Sequence, residues 1–350
     1  IPSRIFNNGG AWLFENSTSP NALTGALWNV KGSEYHSHKD VNSLHLTAYG
    51  EHVLRNVGYK GAGDASNGFS WTYINNRAVS NNTLLIHYDI GTETNPSGTN
   101  DHSKKNGAGI VEGFVGGELE YASGDSGTAL PNGKHIRNFV FVHPQDGKNG
   151  YWVLFDEADG TGANDNIHVA LHPNTDASPT AVTANTEYLA DMGPHERSAN
   201  DVKLTMFLAT PPSSVSIHNG VMASWAEGYV GKYLFSTYGS DANGKKNIVT
   251  VLFPHDDTHA KATMARISGA GYTGASMDLG GGTVDYALES DNAATIAHGS
   301  ASMQGLAAHY RLIGTALSHY FVRKGTSFEY GDRGFSSDGD VSVYVKGTTG

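Results

Sequence analysis

The residues best suited to chemistry are two histidines and a carboxylate in the segment His36-Ser37-His38-Lys39-Asp40. Alternate side chains of an extended chain share a face, so His36, His38 and Asp40 are expected to point the same way. Imidazole titrates near neutral pH, and its unprotonated nitrogen also binds metals. The segment therefore allows three interpretations: a two-histidine metal site, general acid–base catalysis, or one histidine in each role.

The same alternation continues from the histidines into an apolar face formed by Leu44, Leu46 and Ala48. A polar run that leads into a buried face must satisfy its groups with hydrogen bonds, a metal or a substrate. A loop of hydrogen-bonded surface histidines is the simpler alternative. A cupin-type metal enzyme is disfavoured, because Asn42 and Ser43 stand where that pattern has a glutamate.

Short apolar runs separated by Gly, Asn, Asp and Pro clusters dominate the rest of the chain. They are about five to seven residues long and rich in β-branched and aromatic residues, which is typical of strands. We predict an all-β fold, a large antiparallel two-sheet β-sandwich over residues 1–350, with a minor sub-division near residue 200 as an alternative. Trp12 and Trp28 are predicted core residues. The clearest runs are Ser43–Tyr49, Thr83–Tyr88, Asn138–Val142, Tyr151–Phe155, Val202–Leu208, Tyr229–Ser236, Ile248–Phe253, Ala307–Ile313, Ser318–Val322 and Val341–Val345.

Composition narrows the choice of partners. The formal net charge of -11 repels nucleic acid and anionic membranes, so neither is an expected partner. It also requires that any site for an acidic polymer be locally basic. The chain contains no cysteine, which excludes disulfides, and it has no apolar run of membrane-spanning length. Because it begins at Ile1 without methionine, we expect a piece of a longer polypeptide.

Several motifs resemble one enzyme family. The run from His36 to Ser43, followed by Ala48-Tyr49-Gly50-Glu51 and the continuation to Tyr59, is similar to the heparinase II/III-like polysaccharide lyases. The same holds for Ser80-Asn81-Asn82-Thr83 and for the strand motifs that start at Arg137 and Tyr151. The resemblance extends over roughly residues 9–260 in order.

The resemblance implies a helical (α/α) toroid followed by a C-terminal β-sandwich, of which this chain corresponds to the sandwich. Such enzymes cleave uronic-acid polysaccharides by β-elimination. The first histidine of the motif, His36, then belongs to the catalytic cleft, and the second, His38, is a zinc ligand. The family's remaining ligands, an Asp and a His, match Asn56 and Asn81, and amides bind zinc poorly. Either the metal is absent and a His–Asn–Asn hydrogen-bond cluster replaces it, or His87 and Asp89 supply the missing ligands. In the second case zinc or another divalent metal is the expected cofactor.

Three further residues are candidates for substrate binding. Arg55 and Arg77 follow the motif and are suited to substrate carboxylates, and Tyr35 is suited to stacking on a sugar ring. The expected partners are an acidic polysaccharide, with an alginate-like polyuronate favoured over a glycosaminoglycan or ulvan, and a toroid domain or chain. The expectations are compatible with a homo-oligomer and with a secreted or periplasmic location. The alternative function is a non-catalytic carbohydrate-binding β-sandwich module.

Overall fold

The computed structural model describes residues 2–32, 38–56, 69, 71–92, 97–162, 166–192, 201–221 and 230–347. In these ranges the chain forms antiparallel strands, one short helix α1 (Trp71–Asn76) and one 3-10 turn (Ala78–Ser80). The strands are β1 (Arg4–Phe6), β2 (Gly10–Phe14), β3 (Thr24–Trp28), β4 (Ser43–Ala48), β5 (Glu51–Leu54), β6 (Leu84–Ile86), β7 (Gly109–Phe114), β8 (Leu119–Asp125), β9 (Gly133–Val142), β10 (Tyr151–Gly160), β11 (Asn166–Leu171), β12 (Thr180–Thr183), β13 (Glu187–Asp191), β14 (Lys203–Leu208), β15 (Ser214–Val221), β16 (Val230–Gly239), β17 (Lys245–His255), β18 (Thr263–Gly269), β19 (Tyr272–Asp278), β20 (Thr283–Ser290), β21 (Thr295–His298), β22 (Ala301–Gln304), β23 (Ala307–Ile313), β24 (Ala316–Tyr330) and β25 (Arg333–Lys346).

These strands form four hydrogen-bonded sheets. Sheet A has the order β1-β2-β3-β4-β5, and sheet B has the order β15-β16-β11-β6. Sheet C has the order β12-β13-β14-β17-β10-β9-β8-β7, and sheet D has the order β18-β19-β20-β23-β24-β22-β21 with β25 also paired to β24. The prediction of an antiparallel all-β sandwich is confirmed, and every predicted apolar run coincides with a strand. The layers are built from four sheets where two were expected.

Sheet C is the middle layer, and its central strands are buried on both faces. One face packs against sheets A and B through side chains such as Phe139, Trp152 and Leu154. The opposite face packs against sheet D through the alternate residues, including Val140 and Val153. Because both faces of these strands need apolar side chains, their sequences are continuous apolar runs without polar and apolar alternation.

The two ends of the chain depart from this pattern. Trp12 and Trp28, expected in the core, lie on the outer face of sheet A, where they are partly exposed and meet edge to face at 5.1 Å. Sheet D rolls around a core of its own that includes Tyr310, Tyr320 and Phe328. This rolling brings β18 into contact with β21.

Strands on both sides of residue 200 belong to the same sheet, since β13 pairs with β14 in sheet C. The described part of the chain contains no helix long and apolar enough to cross a membrane.

Several histidines are buried inside this sandwich in the neutral form. His102 and His172 are almost completely buried, and each has its Nε2 2.8 Å from a backbone carbonyl, that of Leu84 and that of Val79 respectively. Burial disfavours the imidazolium and lowers the pKa of each to about 4. Burial likewise lowers the pKa of His309 and His319, which lie between sheets C and D, to about 3.

Because these buried histidines have lowered pKa values, we expect the protein to lose stability in mild acid. Below about pH 6.5 the unfolded chain binds protons on histidine, whereas the folded chain does not until near its own lower pKa. The free energy of unfolding should therefore fall as pH drops through this interval, by at most about 1.4 kcal/mol per pH unit for each histidine. In His172→Gln the amide still donates to the Val79 carbonyl. This variant should lower the slope of unfolding free energy against pH by the contribution of about one proton. Urea unfolding at several pH values measures it, and an unchanged slope would contradict a neutral His172.

Candidate active site

The segment His36–Asp40 belongs to the connection between β3 and β4, at one end of sheet A. His36 and Tyr35 fall outside the described residues, whereas His38, Lys39 and Asp40 are described and partly buried. Burial, helped by the charge of Lys105, lowers the pKa of His38. Burial raises the pKa of the Asp40 carboxyl to about 7, although its backbone hydrogen bond and Lys105 oppose the rise.

Asn42 fixes the path of the chain where this segment enters β4. Its backbone is left-handed, with φ at 59°, a conformation that asparagine tolerates better than most residues. Its side chain is completely buried, accepts a bond from Asn29 Nδ2 at 2.6 Å and donates to the His135 carbonyl at 3.2 Å. The end of the segment is therefore held by sheets A and C together.

Beneath Asn42, Arg137 and Asp156 form a fully buried ion pair on neighbouring strands of sheet C, in direct cross-strand register. Arg137 donates through Nε and Nη2 to the two carboxylate oxygens at 2.7 and 2.9 Å. Burial alone would raise the pKa of Asp156, but Arg137 and His135 outweigh it and hold that pKa well below its usual range. Arg137 Nη1 then donates to the carbonyls of Asn42 at 2.8 Å and Asn82 at 2.5 Å.

Asn82 connects the segment to sheet B. Its side-chain Nδ2 donates to the carbonyls of Leu44 and Arg55 at 2.8 and 3.0 Å, and its Oδ1 accepts from the His172 N–H at 2.6 Å. One amide thus satisfies backbone groups from three strand ends, which would otherwise be buried without partners.

Basic side chains surround the segment, although the protein as a whole is acidic. Lys39 pairs with Asp101 at 3.0 Å, and Arg77 lies 3.8 Å from the same carboxylate. Lys105 is close enough to affect the titration of both His38 and Asp40. We call these three residues, together with Lys31 and Lys104 from the flanking connections, the basic rim. It is the locally basic surface that an acidic polymer would require.

Solved structures named as heparan sulfate lyase or heparinase III share this architecture. The heparan sulfate lyase HepC from Pedobacter heparinus superposes with a TM-score of 0.62 at 16% identity, over 83% of this chain and 41% of that one. A heparinase III gene product gives 0.62 at 12% identity, over 89% and 42%. A second heparinase III structure gives 0.60 at 15% identity, over 82% and 42%. No protein-family model and no curated protein sequence matches the chain.

The chain has a heparinase-like fold. The resemblance inferred from the sequence motifs is confirmed at this level, and the chain spans about two-fifths of the length of these lyases.

The zinc site implied by the heparinase-like resemblance does not fit the residues described near His38. Asn56 Oδ1 accepts from Ser43 Oγ at 2.5 Å, and Asn81 Nδ2 donates to the Lys39 carbonyl at 3.4 Å. Both amides thus serve hydrogen bonds. The suggested substitute His87 has a left-handed backbone at the end of β6. Among the described residues no three His, Asp or Glu side chains come together to hold a metal.

The two candidate arginines are placed differently. Arg77 belongs to the basic rim. Arg55 lies at the end of β5, where its Nη1 is 3.4 Å from Asn174 Oδ1 and its backbone N–H donates to the His172 carbonyl. The Arg137–Asp156 pair and Asn82 were missed by the sequence analysis. A usable signal existed for the pair, because Asp156 directly follows the apolar run Tyr151–Phe155 and Arg137 stands next to the run Asn138–Val142, so each charge lies at the end of an apolar run.

Restoring the implied ligands should create metal binding in this heparinase-like fold. We expect the natural chain to retain no zinc after dialysis, because amides replace the implied Asp and His. Asn56→Asp combined with Asn81→His should retain about one zinc per chain, since three ligands with His38 complete a common zinc set. Elemental analysis measures the content, with Asn243→Asp, an exposed position, as the matched control. Stoichiometric zinc in the natural chain would contradict this expectation.

Proposed function

We propose that this chain is the β-sandwich part of a polysaccharide lyase that cleaves uronate-containing polysaccharide by β-elimination. The observation that carries the proposal is the structural likeness to proteins named as heparan sulfate lyase and heparinase III, over more than four-fifths of the chain. A polymer of this kind is met outside the cytoplasm, so a secreted or periplasmic location accompanies the proposal.

The basic rim supports a polyanionic substrate. The protein has a net charge of -11, yet the connections that carry Lys31 and Lys104–Lys105 are joined by hydrogen bonds from Asn106 Nδ2 to the Gly32 carbonyl and from the Gly107 N–H to the Val30 carbonyl. Lys105 also acts on His38 and Asp40, beside Lys39. The field of these lysines attracts an acidic chain to the end that carries the His36–Asp40 segment. Heparan sulfate, named for the structural neighbours, and an alginate-like polyuronate, favoured from the sequence, both present carboxylates to such a rim.

The reaction needs three things from the protein. The substrate carboxylate must be neutralised so that the proton on the adjacent C5 becomes acidic, a base must remove that proton, and an acid must protonate the leaving oxygen. In our proposal the basic rim binds carboxylates of the polymer outside the reacting sugar residue, His36 transfers a proton, and Tyr35 stacks on a sugar ring. The remaining groups come from the helical toroid, which we propose as the partner of this sandwich.

The proposal predicts lyase activity for the polypeptide that contains this chain together with its toroid. Incubation with heparan sulfate or with alginate should raise the ultraviolet absorbance, because β-elimination leaves a conjugated unsaturated uronate. Whichever polymer responds identifies the substrate class. If neither polymer responds while both bind, the chain is a non-catalytic carbohydrate-binding module.

Two variants separate binding from proton transfer. Lys105→Ala should raise KM by about fivefold with little change in kcat, because a rim charge acts on ground state and transition state alike. Lys346→Ala, an exposed lysine in sheet D, is the control and should leave both unchanged. His36→Ala should lower kcat by about a hundredfold or more. Full activity in that variant would remove His36 from the mechanism.

A further inference from the structure

A second polar pocket lies at the opposite end of sheet A from the candidate active site. Strand β4 starts at Ser43, next to the His36–Asp40 segment, and ends at Ala48, next to this pocket. The pocket encloses about 490 Å³ and is lined by the β2–β3, β4–β5, β9–β10 and β17–β18 connections. The side chains used in the argument below are Glu15, Asn21, Tyr49, Lys148, Asn149 and His259.

The wall of the pocket contains an unusual turn. Tyr49 and Gly50 join β4 to β5, and both have positive φ angles, 54° and 89°. Two-residue turns of this hand favour Asn or Gly at the first position, so a tyrosine there is under backbone strain. Such strain persists only where the surroundings fix it, and it clusters at functional sites. Here the Tyr49 N–H donates to the Asn21 carbonyl at 3.0 Å.

The strained tyrosine supports a histidine. The ring of Tyr49 is buried beneath His259, with ring centroids 4.1 Å apart and planes within 14° of parallel. Asp256 Oδ1 lies 2.8 Å from His259 Nδ1 and accepts the backbone N–H of His259 at 2.7 Å. Both the plane and the rotation of the imidazole are therefore fixed. Its side chain is 42% exposed, and within the described chain its Nε2 has no partner.

The rest of the pocket supplies hydrogen-bonding groups of both kinds. Lys148 makes no ion pair or hydrogen bond with its ammonium to any described residue. Glu15 uses Oε2 to accept the Leu23 N–H at 2.9 Å, which orients its carboxylate. Asn149 Nδ2 donates to the Ala260 carbonyl at 2.7 Å and so ties the β9–β10 turn to the turn that carries His259.

We propose that this pocket is a second carbohydrate site, which binds one sugar residue of an acidic polysaccharide remote from the site of cleavage. The outward face of His259 offers a flat ring for a pyranose to stack on. Glu15 and Asn21 suit sugar hydroxyls, and Lys148 suits a carboxylate or sulfate. The identity of the polymer rests on the proposed function, whereas the binding of a sugar residue rests on the pocket alone.

Titration calorimetry of the full chain tests the proposal with three tetrasaccharides: a heparan-type glucuronate chain, a mannuronate chain and a neutral glucose chain. The natural chain should bind at least one of the acidic probes. His259→Ala should weaken that binding about tenfold, because the stacking ring and the hydrogen-bonding Nε2 are both lost. Lys148→Ala should weaken the acidic probes about fivefold and leave the neutral probe unchanged. Lys245→Ala, an exposed lysine outside this pocket, is the control.

The outcomes separate this inference from the lyase proposal. Equal affinity of His259→Ala and the natural chain, with the melting temperature unchanged, would overturn the second site even if cleavage is observed. Failure of the natural chain to bind any probe would overturn it as well. Loss of binding in His259→Ala, in a protein that cleaves neither polymer, would sustain the second site and remove the lyase function.

Discussion

The buried pair between Arg137 and Asp156 is the interaction on which the candidate site depends. It lies on the middle sheet, away from water. The Nη1 of Arg137, which does not bind Asp156, donates to the carbonyls of Asn42 and Asn82. Loss of one member of such a pair leaves an unpaired buried charge, which costs about 3–5 kcal/mol. The described end of the β3–β4 connection, at Asn42, is thereby attached to the most deeply buried layer of the protein.

Much of the fold was predictable because its strongest strands are nearly pure apolar runs. Tyr151–Phe155 and Ile248–Phe253 are too short and too rich in β-branched and aromatic residues for helices. The number of sheets was not predictable from the same runs. A continuous apolar run shows that both faces are covered but does not identify the covering layers, and partners such as β10 and β17 are far apart in sequence. Trp12 was misplaced because an aromatic residue in a strand fits either face.

A local sequence pattern was enough to propose the candidate site, and the roles proposed for its residues stay predictions. The alternation of His36, His38 and Asp40 marked the segment, and Asn56 and Asn81 gave the warning against zinc. The residues that hold the segment could not be found in this way. Arg137 and Asp156 become partners only through the register of β9 against β10, and Asn82 acts through backbone groups that have no sequence signature. The pocket under His259 was also invisible, since four separate connections build it.

The rolling of sheet D affects which strand edges are open to association with other molecules of the protein. A flat sheet ends in strands whose outward N–H and C=O groups can template pairing with another chain, which is a route to aggregation. In sheet D the terminal strands β18 and β21 turn towards each other instead. This contact covers the edges of β18 and β21, whereas β25 pairs only with β24 among the described strands and leaves its other edge open. Arg333, Asp338 and Asp340 lie along β25, and such charges discourage another chain from adding to its open edge.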